Sequence, residues 1–253
     1  MAEQDLINER LKKLHAFRKA GENPYPSTSH RTGMAATVVV GDAMVTIAGR
    51  VRGKRGQGGV MFLDVFDESG KIQAVAREDG CADYALFRDN LDIGDFVEVS
   101  GAVFTTERGE KSVDTKAIRL LTKAIRPLPD QWSGLQDIEI RLRKRYLDTL
   151  ANPEVREIFI KKAVFWDALR GLLKKAGFLE VDMPALETVA GGADAEPFVT
   201  HHNALDTNFS LRISLELPLK KMLVGGFEKV FEIGRVFRNE GIDREHLQDY
   251  IQC

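Results

Sequence analysis

The chain has 253 residues, 43% of them hydrophobic, and its 36 basic and 38 acidic side chains leave a net charge of −2. That length suits one or two domains with a substantial core, and the balanced charge argues against a protein coated with basic groups, so any contact with nucleic acid must be local. The two cysteines, Cys81 and Cys253, lack metal-ligand spacing, and no run reaches the roughly 18 apolar residues of a membrane helix; both observations favour a cytoplasmic protein without a disulfide scaffold or zinc site.

The first 44 residues are predicted to form one helix followed by an extended segment. Residues 1–21 lack the apolar stretch of a secretory signal. Apolar side chains recur in them at roughly helical spacing, at Leu6, Leu11, Leu14 and Phe17. Gly21 is placed to end this amphipathic helix, and the "NPYP" that follows favours extended backbone.

Residues 45–125 carry the pattern of a small β-barrel. Five strand-like segments are separated by turns that contain glycine, and the helical stretch "CADYALFRDNL" lies between the third and the fourth. Five strands with a helix at that point predict an OB-fold barrel, a layout that binds single-stranded nucleic acid on one face. Short strands alone also suit other small barrels.

Basic and aromatic residues of this barrel form its candidate nucleic-acid site. "GRVRGKR" places four basic side chains on and after the first strand, at Arg50, Arg52, Lys54 and Arg55. On the second strand Phe62 alternates with Met61 and Leu63, so it faces the opposite way. Either Phe62 lies on the open face, where a base can stack on it, or it belongs to the core and its two neighbours lie outside. The pattern leaves both possibilities open.

A proline-containing linker, residues 126–137, leads to a second domain of helices and strands at 138–253. "NPEVREIFIKKAVFWDALRGLLKKAG" predicts a long helix with Asn152 as its cap and Pro153 in its first turn. The strand "FLEVDMP", one more helix and the segment "VFEIGRVFRNEGI" at 230–242 follow. The whole chain is therefore predicted to be α+β, with the barrel first.

The segment 230–242 is an apolar strand with charges threaded through it. Alternate side chains of a strand share a face, which divides the segment into two sets. The first set is mostly apolar and is predicted to pack on helices: Phe231, Ile233, Arg235 and Phe237. The second is predicted to floor a ligand pocket in an antiparallel sheet: Glu232, Gly234, Val236, Arg238 and Glu240. A structural ion pair explains the charges equally well.

Two long motifs, "GGADAEPFVTHHNALD" at 191–206 and "LVGGFEKVFEIGRVFRNEGI" at 223–242, occur in order with the shorter "GFLEVDMPAL" and "RPLPD". Over nearly the whole chain the sequence resembles the class II lysyl-tRNA synthetases. The resemblance implies a barrel that binds the tRNA anticodon and a catalytic domain that ligates lysine to tRNA through lysyl-adenylate, with ATP as substrate and Mg²⁺ as cofactor.

The resemblance implies a lysine-binding group in the second domain. Gly191, Gly192 and Ala193 correspond to the loop that closes over the substrate lysine, where small residues allow close backbone approach. Glu216 corresponds to the carboxylate that receives the α-ammonium group of lysine. Taken by itself, Glu216 is also an ordinary first-turn helix glutamate, favoured by the helix dipole.

An ATP-binding group is implied by the same resemblance. Arg238 corresponds to the catalytic arginine that meets the α-phosphate and stabilises the charge that develops there. Glu240 corresponds to a contact with the adenine amino group. His246 corresponds to a contact with the β- and γ-phosphates, and Tyr250 to an aromatic ring stacked on adenine.

In the barrel, the resemblance assigns the anticodon contacts to Arg52, Phe62, Gln73 and Glu110. Phe62 and Gln73 correspond to residues that stack on and hydrogen-bond the central uridine, and Glu110 to a contact with another anticodon base. Residues 153–184, a helix and a strand ending in proline, correspond to the homodimer contact of the family.

The sequence also departs from the family pattern. Leu247 stands where an asparagine near ATP is expected, and Pro218 is expected to remove a backbone bond from the helix that carries Glu216. The third family motif, with a second ATP arginine and the carboxylates that bind magnesium, is not found. No metal ligand is therefore assigned within this chain, and we expect an N-terminal portion that is inactive alone.

Two other functions stay open at this point. One is a non-catalytic OB-fold module that binds tRNA and keeps the second domain for dimerisation. The other, less favoured by "FRNEGI" and "THHNALD", is an aspartyl- or asparaginyl-tRNA synthetase, which shares the same architecture.

Overall fold

The computed structural model describes residues 3–128, 135–241 and 247–253. Contacts divide the chain into two compact units, Met1–Asn152 and Pro153–Cys253. Within the described ranges, no helix combines the length and the apolar composition that crossing a membrane requires.

The first unit is built around a closed five-stranded barrel. Its strands are β1 (Val45–Gln57), β2 (Val60–Phe66), β3 (Lys71–Arg77), β4 (Phe96–Thr105) and β5 (Lys111–Thr122). They close in the order β1-β2-β3-β5-β4, with β3 and β5 parallel and the other pairs antiparallel. A short helix, Tyr84–Asn90, lies between β3 and β4. This topology confirms the predicted OB-fold.

Strand β2 decides the question left open for Phe62. Met61, Leu63 and Val65 are 1% exposed or less and belong to the barrel core. Phe62 lies on the opposite, half-buried face of the strand. The alternative that placed Phe62 in the core is therefore wrong, because burying the Met61–Leu63 face removes more apolar surface from water.

The N-terminal helix α1 (Glu3–Lys19) packs against the helix Tyr84–Asn90, named α2. Leu14 and Phe17 are its buried residues, and the Phe17 ring centroid lies 5.2 Å from that of Phe87. Arg10 reinforces this contact by donating to the carbonyls of Ala124 and Ile93 at 2.9 and 3.0 Å. The predicted amphipathic helix is thus present and packs through the C-terminal half of its apolar side.

Two short helices, α3 (Ile138–Arg143) and α4 (Arg145–Ala151), end the first unit. The Asp148 carboxylate, fully buried, accepts hydrogen bonds from Arg141 Nε at 2.9 Å and Arg145 Nη1 at 2.5 Å. The predicted cap residue Asn152 donates to the same carboxylate at 2.6 Å. Three donors on one buried anion hold the two helices together.

The second unit begins with the long helix α5 (Pro153–Lys175), in agreement with the predicted helix. Short strands follow: β6 (Leu179–Glu180), β7 (Leu186–Glu187), β8 (Val199–His202), β9 (Thr207–Leu211), β10 (Val230–Phe231), β11 (Gly234–Phe237) and β12 (Asp249–Gln252). Helix α6 (Glu216–Val224) lies between β9 and β10. The sheets are β7-β9-β8, the hairpin β11-β12 and the pair β10-β6.

The prediction for 230–242 is confirmed in one respect and wrong in others. The strand is interrupted between β10 and β11. Its second part, β11, pairs with β12 in the predicted antiparallel arrangement, whereas β10 pairs in parallel with β6. Arg235 is exposed and Val236 is fully buried, so the predicted division into a packed set and a pocket-facing set is also wrong. Beside the interruption, Gly234 leaves no room for a side chain, since a Cβ there would overlap the Arg212 guanidinium and the Glu232 carboxylate.

Candidate substrate and nucleic-acid sites

The outer face of the barrel presents Phe62 beside charged groups. Arg55 lies directly opposite Phe62 in the β1–β2 ladder. Its guanidinium Nη2 is 3.2 Å from Asp64 Oδ1. A half-buried ring on the outer face, next to a guanidinium, is a surface on which an unstacked base can be held.

Gln73 and Glu110, which the sequence assigns to contacts with different bases, are hydrogen-bonded to each other. Gln73 Nε2 donates to Glu110 Oε2 at 3.0 Å, and Lys71 Nζ donates to Glu110 Oε1 at 2.7 Å. Ser112 Oγ donates to Gln73 Oε1 at 3.1 Å. The hydrogen bond that Lys71 donates to Glu110 raises the pKa of Lys71.

Arg52 is engaged elsewhere on the barrel. Its guanidinium lies 5.0 Å over the Phe66 ring and donates to the carbonyl oxygen of Leu150 at 3.2 Å. Arg50 is stacked in a similar way over Phe96, at 4.3 Å. The structure therefore brings Arg55, rather than the predicted Arg52, next to Phe62.

Register explains why the sequence, which places Arg55 in the basic cluster, did not single it out as the residue opposite Phe62. The β1–β2 pairing shifts between Val51 and Gly53, so Arg52 has no partner on β2. This bulge moves the rest of β1 by one residue and sets Arg55 opposite Phe62 instead of Met61. The basic cluster in the sequence carries no local signal for that shift.

The predicted lysine-binding residues come together in the second unit. A Cβ on Gly192, whose φ is +85°, would lie 3.2 Å from the Glu216 Cβ and 3.2 Å from Ser214 Oγ. A Cβ on Gly191 would lie 2.6 Å from Leu217. Glycine is thus required in this loop both by conformation and by space. Ala193, the next residue, is half-buried.

Glu216 is the first residue of α6 and is exposed. Its Oε1 is 2.5 Å from Lys220 Nζ one turn later. Pro218 is the third residue of this helix. The expected loss of a backbone bond at Pro218 is therefore wrong, because the first N–H groups of a helix have no intrahelical acceptor.

The predicted ATP-binding residues meet across the β11-β12 hairpin. Val236 pairs with Tyr250, and the Arg238 guanidinium lies 5.4 Å over the Tyr250 ring. Arg238 Nε is buried and has no hydrogen-bond partner among the described residues. Leu247 is 60% exposed, and His246 lies outside the described residues.

One loop connects the two groups. The backbone N–H of Glu196 is 3.4 Å from Glu240 Oε1, and Asn239 N–H donates to the Glu196 carbonyl at 2.7 Å. Glu196 follows the glycine loop that contacts Glu216. The residues predicted to hold lysine and those predicted to hold ATP are therefore joined within one short stretch of backbone.

The charges in the 230–242 segment are explained in part by structural pairs. Glu232 is 3% exposed, and its Oε1 lies 2.6 Å from Arg212 Nη1. The angles do not suit a hydrogen bond, so both Glu232 oxygens lack a donor in the described part of the chain. Arg235 pairs with Asp249. Arg212, which also donates to Met183 and Arg235 carbonyls, was missed in the sequence.

Glu187, on β7, is a further carboxylate that sequence reasoning missed. Its Oε2 is buried without a hydrogen-bond partner among the described residues. Burial raises the pKa of Glu187, against the lowering effect of Lys221 and Arg212. Within the described ranges, no three His, Cys, Asp or Glu side chains are grouped as a metal site.

Comparison with known proteins agrees with this geometry. The family model for OB-fold nucleic acid binding domains matches residues 45–121, and that for class II tRNA synthetases (D, K and N) matches residues 137–253. The chain is 46% identical to the lysine–tRNA ligase of Moorella thermoacetica, covering 98% of this chain and 52% of the relative. For the lysine–tRNA ligase of Carboxydothermus hydrogenoformans the identity is 47%, over 97% of this chain and 52% of the relative. The chain spans about half the length of the curated relatives it matches.

Proposed function

The chain belongs to the class II lysine–tRNA ligase family, and on this premise we propose that it takes part in ligating lysine to tRNA at the expense of ATP. Lysine and ATP would form lysyl-adenylate and pyrophosphate, and the lysyl group would then pass to the 3′ end of the tRNA. The observation that carries the proposal is the loop from Gly191 to Glu196, which touches Glu216 at one end and Glu240 at the other.

The lysine end of this loop supports binding of an amino acid. Gly192 brings the loop backbone close to Glu216, since a Cβ on it would lie only 3.2 Å from the Glu216 Cβ. The Glu216 carboxylate would replace its contact with the exposed Lys220 by a contact with the α-ammonium group of the substrate. Ala193 would keep the backbone close to the same group.

The ATP end supports binding of a nucleotide. A buried guanidinium nitrogen without a partner is costly, which favours a ligand that Arg238 can hydrogen-bond. A phosphate is the group that a guanidinium fork matches. Tyr250, whose ring already lies under Arg238, would stack on adenine, and Glu240 would accept from its amino group. His246 stays a predicted contact with the β- and γ-phosphates. Mg²⁺ would neutralise phosphate charge during the attack.

The barrel would bind the anticodon loop of the tRNA. Phe62 would stack on the central base, and Gln73 and Glu110 would read base edges. Arg55 joins this group because it lies opposite Phe62. Arg52 stays a predicted tRNA contact, although its guanidinium is engaged with Phe66 and Leu150.

Helix α5 would form part of a homodimer contact at residues 153–184. Several of its large apolar side chains are more than half exposed: Ile158, Phe159, Ile160, Val164, Phe165 and Leu172. An exposed apolar face of this kind favours association with another protein surface. We also propose a cytoplasmic location, in keeping with two unpaired cysteines.

Pyrophosphate exchange tests the proposal and separates it from the sister enzymes. The open reading frame that contains this sequence is expressed in full, and exchange of labelled pyrophosphate into ATP is measured with lysine, aspartate or asparagine. Lysine is expected to support exchange that is lost in Glu216→Gln and Arg238→Ala. Exchange dependent on aspartate or asparagine would contradict the proposal, and no exchange with any amino acid would favour the non-catalytic tRNA-binding module.

A further inference from the structure

The four residues Lys71, Glu110, Gln73 and Ser112 form a continuous polar chain on the barrel. Their three contacts measure 2.7, 3.0 and 3.1 Å in that order. Gln73 is 6% exposed and Ser112 is fully buried, so the inner end of the polar chain is shielded from water. Glu110, with its side chain 37% exposed, and Lys71 form the outer end.

The chemistry of these groups dictates which way round the Gln73 amide lies. An ammonium only donates, and an ionised carboxylate only accepts, so Lys71 and Glu110 each have one possible role. Glu110 must therefore face the NH₂ end of Gln73, as it does at 3.0 Å. A hydroxyl can donate or accept, so Ser112 adapts to either orientation. The order of N and O in Gln73 is therefore set by the Glu110 carboxylate, which Lys71 holds through its other oxygen.

With the amide in this orientation, Gln73 keeps one unused hydrogen on Nε2 and one unused lone pair on Oε1, and the positions of these two atoms are fixed. One NH₂ hydrogen is used by Glu110 and one lone pair of Oε1 is used by Ser112. The remaining hydrogen and lone pair can meet the edge of a base. Uracil presents a carbonyl acceptor beside an N–H donor, and cytosine presents the reverse order, an amino donor beside a ring-nitrogen acceptor. A freely rotating amide would suit both bases.

We infer that the polar chain Lys71–Glu110–Gln73–Ser112 fixes the Gln73 amide so that it accepts uracil and rejects cytosine at the central anticodon position. This inference rests on the proposed anticodon role of the barrel and adds Lys71 and Ser112 as positioning residues. Lys71 touches no base in this role; it holds the Glu110 carboxylate against Gln73, and Glu110 sets the orientation of the amide.

The sharpest consequence concerns Glu110→Gln. In that variant Lys71 still only donates, so it would hold the carbonyl oxygen of Gln at position 110. The amide nitrogen of that Gln would then point at Gln73 and require its oxygen. The Gln73 amide would turn over, with Ser112 now accepting, and the preference between the two bases would reverse.

The test uses this 253-residue chain and two synthetic RNA hairpins with the loops of anticodons UUU and UCU, which differ only in the central base. Fluorescence anisotropy at one fixed salt concentration gives the ratio of the two affinities. The unmodified chain is expected to favour UUU by about tenfold. In Glu110→Gln the ratio is expected to fall below one. In Lys71→Met/Glu110→Gln, where nothing sets the polarity, it is expected to lie near one.

Two control variants separate the effect of the hydrogen-bonded residues Lys71, Glu110, Gln73 and Ser112 from a general loss of charge or of stacking. Lys116→Met removes an equivalent lysine, paired at 2.7 Å with Asp114 on the same barrel, and is expected to keep the ratio. Phe62→Ala is expected to weaken both hairpins and also keep the ratio. Thermal unfolding of each variant verifies the fold; Glu110→Ala, with an expected ratio near one, replaces Glu110→Gln if the latter does not fold.

The outcomes distinguish this inference from the function on which it rests. A preference for UUU that persists unchanged in Glu110→Gln would overturn the polarity mechanism and leave the anticodon role standing. Equal affinity of the unmodified chain for both hairpins would overturn the anticodon specificity of the barrel and the mechanism together.

Discussion

The barrel and the second unit differ in how completely they satisfy their own buried groups. The main hydrophobic cluster lies entirely within the first unit, from Phe17 to Leu120. Its buried ions are paired: Lys123, fully buried, donates to Asp92 and Asp95 at 2.6 and 2.7 Å. Among the described residues, the buried side-chain atoms without a hydrogen-bond partner all lie in the second unit: on Trp166, Glu187, Glu232 and Arg238.

This contrast indicates what each unit does. Where the polar groups of a surface are hydrogen-bonded to one another, their orientation is fixed before a ligand binds. We infer this for the Gln73 amide. Buried polar groups without partners are costly and are expected where a substrate or another protein surface completes the site. Arg238 is the clearest case of such a buried group. The exposed apolar face of α5 is a second surface that its own unit leaves uncovered. Four experiments test this contrast, and they differ in the size of the effect that we expect.

The largest effect concerns adenylation by the 253-residue chain itself. We predict that it supports no lysine-dependent exchange of pyrophosphate, because Arg238 alone would have to stabilise the charge that develops on the α-phosphate. Loss of a single such donor commonly lowers the rate by about 10²–10³-fold. Exchange well above background that disappears in Arg238→Ala would demonstrate a working site in this chain and refute the prediction.

The second effect compares neighbours on β2. Leu63→Ala removes a fully buried side chain and is expected to lower the free energy of unfolding by about 2–5 kcal/mol. Phe62→Ala is expected to leave the fold nearly intact but weaken binding of the anticodon hairpin by about 1–3 kcal/mol. Denaturant unfolding and hairpin affinity are measured on both variants. A large stability loss in Phe62→Ala, with affinity retained, would remove its stacking role.

The third effect concerns the exposed face of α5. Phe165→Glu is expected to convert a dimer at tens of micromolar into a monomer, because a charge enters an apolar contact. Val39→Glu is the matched control, since Val39 is 60% exposed and Phe165 59%. Sedimentation velocity gives the oligomeric state. A dimer that survives Phe165→Glu, or an unmodified chain that is a strict monomer, would count against α5 as the dimer contact.

The smallest effect contrasts one carboxylate from each unit. Burial pushes the pKa of Glu98 upward, but hydrogen bonds from Ser29, His30 N–H and Arg119 bring it below its ordinary value. The contribution of ionised Glu98 to the free energy of unfolding is therefore present at neutral pH and is lost as pH falls through the lowered pKa. Burial raises the pKa of Glu187 above its ordinary value of 4.5. The contribution of protonated Glu187 to the free energy of unfolding is therefore present in acid and is lost as pH rises above 4.5 and through the raised pKa.

Thermal unfolding of two amide variants at pH 4 and pH 7 measures this contrast. Glu98→Gln is expected to lower the melting temperature at pH 7, with a smaller loss at pH 4. Glu187→Gln is expected to raise it slightly at pH 7, because the uncharged amide carries a smaller desolvation cost, with a smaller gain at pH 4. A lower melting temperature for Glu187→Gln at pH 7 would indicate that Glu187 has an ionic partner.

Much of the barrel could be predicted from the sequence because the patterns that indicate its strands and turns each span only a few neighbouring residues. Alternation along β2 and glycine-containing turns lie within a few residues of each other, and they indicated the five strands. The placement of Phe62 could not be predicted, since an alternating pattern with apolar residues on both faces suits either orientation. Packing of Met61 and Leu63 in the core decided it.

The second unit was predicted less well for a related reason. Its motifs indicated the family and the grouping of Gly192 with Glu216, but the strand at 230–242 was predicted without its interruption. At that interruption lies the buried pair of Arg212 and Glu232, which are 20 residues apart in the sequence. The chemistry of a buried ion pair does not appear in the periodicity of either segment.

By itself, the sequence determined the OB-fold, the long helix α5 and the family, since these follow from spacing and from long motifs. The tertiary structure decided which distant side chains meet. A one-residue bulge at Arg52 sets Arg55 opposite Phe62, and the parallel pairing of β3 with β5 brings Gln73 to Ser112, next to Glu110. Gln73 and Glu110 lie 37 residues apart in the chain. Such contacts depend on strand register, which the whole barrel must satisfy at once, and no local stretch of sequence specifies it.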